Sequence, residues 1–259
     1  HKKKIFFLIL CIFFSCMCFL ARQSYAFLLL FIFLSNFEIR KIFSKKNLYI
    51  CSSFFIFLMP SFFFFYEWKH FFPPNSGTIY RFKILKIENI SFILNIISIY
   101  IIPFIFCMQN FHIKIKNCFL RYKYFFIVSF SIILFTQIPM NIPSNGGGAF
   151  LKLIKIFFQN EYLIKVIFSI TALFSLVLII FLCSVEKKFK FLFPCVIFIF
   201  LNITEVFQEY FDPIILIFMT LYFPYKLMNK KLLNIFPLLL TSYFSIFLIS
   251  AILYYQYIL

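Results

Sequence analysis

The chain has 259 residues, of which 64% are hydrophobic, 24% aromatic and only 13% charged, with a mean hydropathy of +1.00. So few charged groups cannot coat a water-soluble globule of this size, so the solvent for much of the chain is lipid. The net charge of +17, from 25 Lys and Arg against 8 Asp and Glu, is then read first as membrane topology and not as a nucleic-acid footprint.

Apolar runs long enough, or nearly so, to cross a hydrocarbon layer of ~30 Å recur along the whole chain. They are Ile5–Ala21, Ser24–Phe37, Asn47–Tyr66, Ser91–Gln109, Tyr124–Ile138, Leu163–Cys183, Phe191–Phe207, Pro213–Tyr225 and Ile235–Tyr257. No alternation of period two suggests a barrel, and only helices satisfy their backbone alone in lipid. The expected fold is all-α, a polytopic transmembrane helical bundle of about nine spans forming a single transmembrane domain over residues 1–259. Ser24–Phe37 and Pro213–Tyr225 are short and suit tilted or re-entrant helices. Lys2-Lys3-Lys4 ahead of the first run resembles a signal peptide, but no small-x-small site follows, so a retained first helix is expected. The opening His1, in place of Met, leads us to expect the C-terminal part of a longer protein.

The connectors orient the bundle. With a cytoplasmic N-terminus, seventeen of the 25 basic residues fall in alternate, inside connectors: Lys2–Lys4, Arg40 to Lys46, Lys114 to Lys123, Lys187 to Lys190 and Lys226 to Lys231. That asymmetry is the one the positive-inside rule predicts. The eight cysteines lie mostly in apolar runs with no CxxC pair, and with three His they suggest neither a zinc site nor a disulfide scaffold.

Four polar features fall at helix ends on the expected outer face. Arg22-Gln23 separates two apolar runs with almost no loop; it suits a snorkelling turn or a paired functional cation. Glu67-Trp68-Lys69-His70 opens the longest polar connector, which continues through Pro73-Pro74; Trp68 alone is explained as an interfacial anchor. Gly146-Gly147-Gly148 permits a close approach of backbone amides to an anion, or simply a pliable turn. Ala149–Gln159, with Lys152 and Lys155, follows it and suits a short helix on the membrane surface. Finally Glu205, Glu209 and Asp212 recur at i, i+4 and i+7, so they share one helical face. Such carboxylates suit a divalent cation or an acid/base step, while Asp212 before Pro213 is equally an N-cap. No phosphate-loop, nucleophile-elbow, HExxH or dinucleotide fingerprint occurs, and Asn89-Ile90-Ser91 and Asn202-Ile203-Thr204 match the glycosylation triplet.

Three of these fragments resemble the GT-C superfamily of polytopic glycosyltransferases. Arg22-Gln23 after an apolar run is similar to the Arg-Gln of the dolichyl-phosphate-glucose α-1,2-glucosyltransferase family. Trp68 to Pro73-Pro74 resembles a Trp-x-x-x-x-Pro-Pro loop of bacterial members, and Gln208-Glu209-Tyr210-Phe211-Asp212-Pro213 resembles the aromatic, Pro-terminated opening of a late helix. Glu209 stands where many relatives carry a basic residue, and the acidic first outer loop of the family has no counterpart here.

The resemblance implies transfer of a sugar from a polyprenyl-phosphate donor to a glycan acceptor on the extracytoplasmic or luminal face. The setting would be a bacterial inner membrane or the endoplasmic reticulum. It implies donor-phosphate contacts from Arg22, Gln23 and His70, helped by the amides of Gly146, Gly147 and Gly148. The catalytic base is expected upstream, with Glu67, Glu209 and Asp212 as the candidates within this chain. The competing readings are a transporter or flippase, which needs polar groups at mid-span where only Asn95, Thr171 and Gln256 stand out, and a non-catalytic assembly subunit.

Overall fold

A computed structural model describes residues 2–21, 25–68, 86–87, 89–137, 148–201, 211 and 214–257. The helices are α1 (Lys2–Ala21), α2 (Ala26–Asn36), α3 (Lys45–Trp68), α4 (Asn89–Phe106), α5 (Phe111–Arg121), α6 (Lys123–Gln137), α7 (Gly148–Phe157), α8 (Glu161–Val185), α9 (Phe189–Phe200), α10 (Ile214–Tyr222) and α11 (Lys230–Tyr257). The described residues contain no strand, only an isolated bridge between Met108 and Met228.

The fold is thus all-helical. Four described helices are long and apolar enough to cross a membrane, namely α1, α3, α4 and α8, and a fifth span results if α5 and α6, bent by 83°, are taken together. The sequence predicts about nine. Part of the difference is length: at ~1.5 Å per residue, the 11 residues of α2, 12 of α9 and 9 of α10 fall well short of the layer, whereas the 28 residues of α11 do not. Large apolar side chains stand exposed along the helices, among them Phe7, Phe55, Phe135 and Leu238 at 63%, 65%, 81% and 69%. Such continuous apolar exposure fits an integral membrane protein. One helix was not expected from the sequence: α5 occupies the basic stretch read as a connector. Its Lys114, Lys116 and Arg121 lie among Ile113, Cys118 and Leu120, an amphipathic pattern that hydropathy windows average away.

The chain falls into two compact units, one of residues His1–Ile84 and Phe191–Thr204, the other of Leu85–Lys190 and Glu205–Leu259. In the first, α1 runs parallel to α3, with Phe13 on Phe57 (5.2 Å) and Phe19 on Phe65 (6.0 Å). The core is Ile12, Cys16 and Ile50, packed by Leu29, Phe33, Phe54 and Leu58. α2 returns antiparallel to α3, with Phe33 against Phe54 (5.9 Å), and Phe27 meets Phe200 of α9 (6.0 Å).

The turn from α2 to α3 is fastened by Asn47, which is fully buried. Its Oδ1 accepts from the Glu38 N–H (3.1 Å), and its Nδ2 donates to the carbonyls of Glu38 (2.9 Å) and Lys41 (2.8 Å). Lys46 Nζ reaches Glu38 Oε1 at 3.0 Å. One amide therefore satisfies the Glu38 N–H and adds a second donor to two carbonyls that also accept within the corner, from the Lys41 and Ser44 N–H groups.

In the second unit α4 is the centre, with 83% of its span buried. It is apolar all round, as a helix enclosed by others must be. It packs on α8, α7, α10 and α11. Phe104 meets Phe223 (5.2 Å) and Phe236 (5.0 Å), and Tyr100 meets Phe244 (5.8 Å). α6 lays Phe126 and Ile133, two turns apart, inward along α8. At one end the connectors after α4 and α10 are tied: the Gln109 N–H donates to Leu227 O and the Asn229 N–H to Cys107 O, both 2.9 Å. Asn110, which follows, takes a left-handed φ of 52°, a conformation Asn tolerates better than most residues.

Candidate functional site

Of the residues singled out in the sequence, Arg22, Gln23, His70, Gly146, Gly147, Glu209 and Asp212 lie outside the described residues. Glu67 is exposed at the last turn of α3, and Gly148 opens α7. The described residues bring no three His, Cys, Asp or Glu side chains together in a way that could hold a metal ion.

What they do bring together is a basic cluster at one end of the second unit, where α7 meets the start of α8. α7 buries Leu151 and Ile154, one turn apart, and carries Lys152 and Lys155 beside them, half-buried. A short helix was expected here from the sequence, over Ala149–Gln159, and its pattern follows directly from the alternation of apolar and basic residues.

α8 then begins at an Asn cap. Asn160 Oδ1 accepts from the N–H groups of Tyr162 (3.0 Å) and Leu163 (3.2 Å), satisfying two donors at the helix start. Glu161 in the first turn lies where the helix dipole favours a carboxylate. One turn on, Lys165 pairs with it, Nζ to Oε1 3.1 Å, and its ammonium lies 5.7 Å from the Tyr162 ring centroid. The Lys165 side chain is only 10% exposed while Glu161 is 53% exposed, so the pair runs from the packed interior to the surface.

Lys155 belongs to the same group electrostatically. Burial pushes its amine below the ordinary lysine range; the Glu161 carboxylate opposes that, and the Lys152 charge adds to it. Lys155 and Lys165 thus lie near one carboxylate, with the Lys152 charge close to Lys155, at the end of an apolar unit. An anion bound there would relieve the repulsion.

Beneath the cluster the packing is rigid. Phe168 is held between Phe92 of α4 (5.0 Å) and Phe150 of α7 (6.4 Å), which brings the starts of α4, α7 and α8 to one end. One turn deeper, Asn95 Nδ2 donates to Phe168 O (3.1 Å) and Ser98 Oγ donates to Asn95 O (2.8 Å). Ser175 Oγ shares its proton between Thr171 O (2.7 Å) and Asn95 Oδ1 (3.3 Å). Of the mid-span polar residues noted in the sequence, Asn95 is therefore used in fastening α4 to α8, while the Thr171 hydroxyl donates back to Ile167 O and Phe168 O of its own helix.

The Glu161–Lys165 pair went unread in the sequence, although a signal was present. A Glu and a Lys four apart at the head of an apolar run, with the Lys inside it, are the spacing and setting of a partly buried ion pair. No family model matches the chain, and neither a curated protein nor a solved structure matches it.

Proposed function

We propose that this chain is a polytopic membrane transferase of the GT-C kind, which takes a sugar from a polyprenyl-phosphate donor at the outer face of a bilayer. The observation that carries the reading is the gathering of Lys152, Lys155 and Lys165 where α7 meets the start of α8, basic groups placed to meet a lipid phosphate at the interface. The cluster begins directly after Gly148, the last residue of the glycine run that the resemblance links to donor phosphate. In the nine-span topology all three lysines fall on the outer side, where the donor headgroup lies. The tie between the connectors after α4 and α10 agrees with that topology, which assigns both to the cytoplasmic side.

In this reading, as the resemblance implies, Arg22, Gln23 and His70 are donor-phosphate contacts, and the acceptor hydroxyl gives its proton to a carboxylate upstream or to Glu67, Glu209 or Asp212. The transporter reading draws less support, because Asn95 spends its polar groups on Phe168 O and Ser175 of α8, and Thr171 its hydroxyl on the backbone of its own helix. The full chain in mild detergent is expected to bind a short-chain polyprenyl-phosphate sugar saturably and to gain thermal stability from it. Lys155→Gln is expected to weaken that binding roughly fivefold, about 1 kcal/mol for one basic group near an anionic headgroup. Arg22→Ala is expected to abolish sugar transfer while leaving membrane insertion intact. Equal affinity of Lys155→Gln and the parent chain, together with unaltered transfer by Arg22→Ala, would overturn the reading.

A further inference from the structure

The first unit contains a recess that neither its packing nor the proposed transfer chemistry uses. Ala26, the first residue of α2, lies seven residues before Phe33, and Ser61 lies seven residues after Phe54. With Phe33 and Phe54 in contact across antiparallel helices, the start of α2 comes level with Ser61. α3 runs on for a further seven residues to Trp68, about 10 Å, with α1 alongside it through Phe19 on Phe65. Among the described residues, α2 is too short to fill the space between them.

What remains is a groove of about 440 Å³ whose lining is hydrocarbon: Leu29, Leu30, Phe33, Phe54 and Leu58 below the level of Ser61, aromatic rings above it. The exception is Ser61 itself. It is 2% exposed, and its hydroxyl has no hydrogen-bond partner among the described residues. Serines elsewhere on these helices return the proton to a carbonyl one turn back, as Ser52 does to Leu48 and Ser131 to Ile127. Ser61 does not, and an unmade hydrogen bond in an apolar lining is costly.

We propose that this groove seats one acyl chain of a bilayer glycerophospholipid, with the ester carbonyl accepting from the Ser61 hydroxyl. α1 and α3 both have the length and hydropathy of membrane spans, so the medium at this depth is hydrocarbon. A peptide segment would bring a row of backbone donors and acceptors to a lining that offers a single hydroxyl. A glycerophospholipid brings one acceptor at the junction of head and tail, followed by a chain that needs none. The recessed start of α2 draws that junction down to Ser61, and the leucines and phenylalanines below it take the tail.

The test is lipid extraction and mass spectrometry on the full chain purified in mild detergent. The parent chain is expected to retain one glycerophospholipid per chain, and Leu29→Trp, which fills the groove, to lose it with helicity unchanged by circular dichroism. Ala26→Leu serves the same purpose should the tryptophan disturb folding. Ser61→Ala is expected to release ester-linked lipid roughly two- to tenfold faster than the parent, the worth of one hydrogen bond, while ether-linked lipid leaves both at the same rate. Equal retention by the parent and both groove-filling variants overturns the proposal. Indifference of Ser61→Ala to the linkage overturns the ester contact, and a concentration-dependent dimer lost in Leu29→Trp, with no lipid retained by the parent, assigns the groove to a second copy instead.

Discussion

The helices of the first unit meet through rings, Phe13 on Phe57, Phe19 on Phe65 and Phe33 on Phe54, and its polar fastening sits outside the helical interior, at Asn47 in the turn. The second unit keeps its fastening inside, where Asn95 joins α4 to the backbone and Ser175 of α8. Lipid explains why this matters. Apolar side chains gain nothing from leaving hydrocarbon for one another, so ring contacts hold helices only by fit, whereas an interior hydrogen bond has one geometry. The unit with the interior bond has a largely enclosed central helix. The unit held by rings has a short helix and a groove.

The contrast can be broken most directly at Asn47. Asn47→Ala removes three hydrogen bonds at once, leaves the Glu38 N–H without its acceptor, and is expected to cost roughly 1–3 kcal/mol of stability in a denaturant titration in micelles. The loss should be confined to protection of α2 and α3 in hydrogen exchange. Asn95→Leu keeps the volume and removes the interior bond, with an expected cost of about 1 kcal/mol, in the range of hydrogen bonds between membrane helices. A larger cost for Asn95→Leu than for Asn47→Ala would reverse the comparison and make the interior bond the main fastening of either unit.

The smallest effect is acid dependence of the same corner. The hydrogen bond and charge of Lys46 hold the Glu38 carboxyl below its usual range, with Lys41 assisting against desolvation. Its folded value lies below its unfolded one, so the contribution is complete above the ordinary carboxylate range and is lost as pH falls through the lowered value. Glu38→Gln should flatten the acid limb of the melting profile; an unchanged limb would show that the exposed pair contributes nothing.

Much of the helix content was legible because in lipid it is a local matter. A run such as Ile5–Ala21 or Leu163–Cys183 must satisfy its backbone within itself, and α1 and α8 cover those runs with a few residues to spare. α7 was legible for a related reason, since Lys152 and Lys155 alternate with Leu151 and Ile154 within a single turn. α5 was not, because its charges lower the average that marks an apolar helix. Within the candidate site, the glycines and α7 lysines stood out by composition, while the role of Lys165 depended on its burial.

By itself, then, the sequence determined the solvent, the helical class and the excess of basic residues in alternate connectors, since each is set by composition and run length alone. The tertiary structure decided which helix lies at the centre. α3 and α4 are equally apolar runs of Phe and Ile, yet one is 22% and the other 83% buried over its span. A lipid-facing helix and an enclosed one bury their side chains in the same hydrocarbon, so no amphipathic pattern distinguishes them. The tertiary structure also set Lys155 and Lys165 against one carboxylate and left Ser61 beside a helix too short to cover it. Those juxtapositions arise from how helices of unequal length fit together.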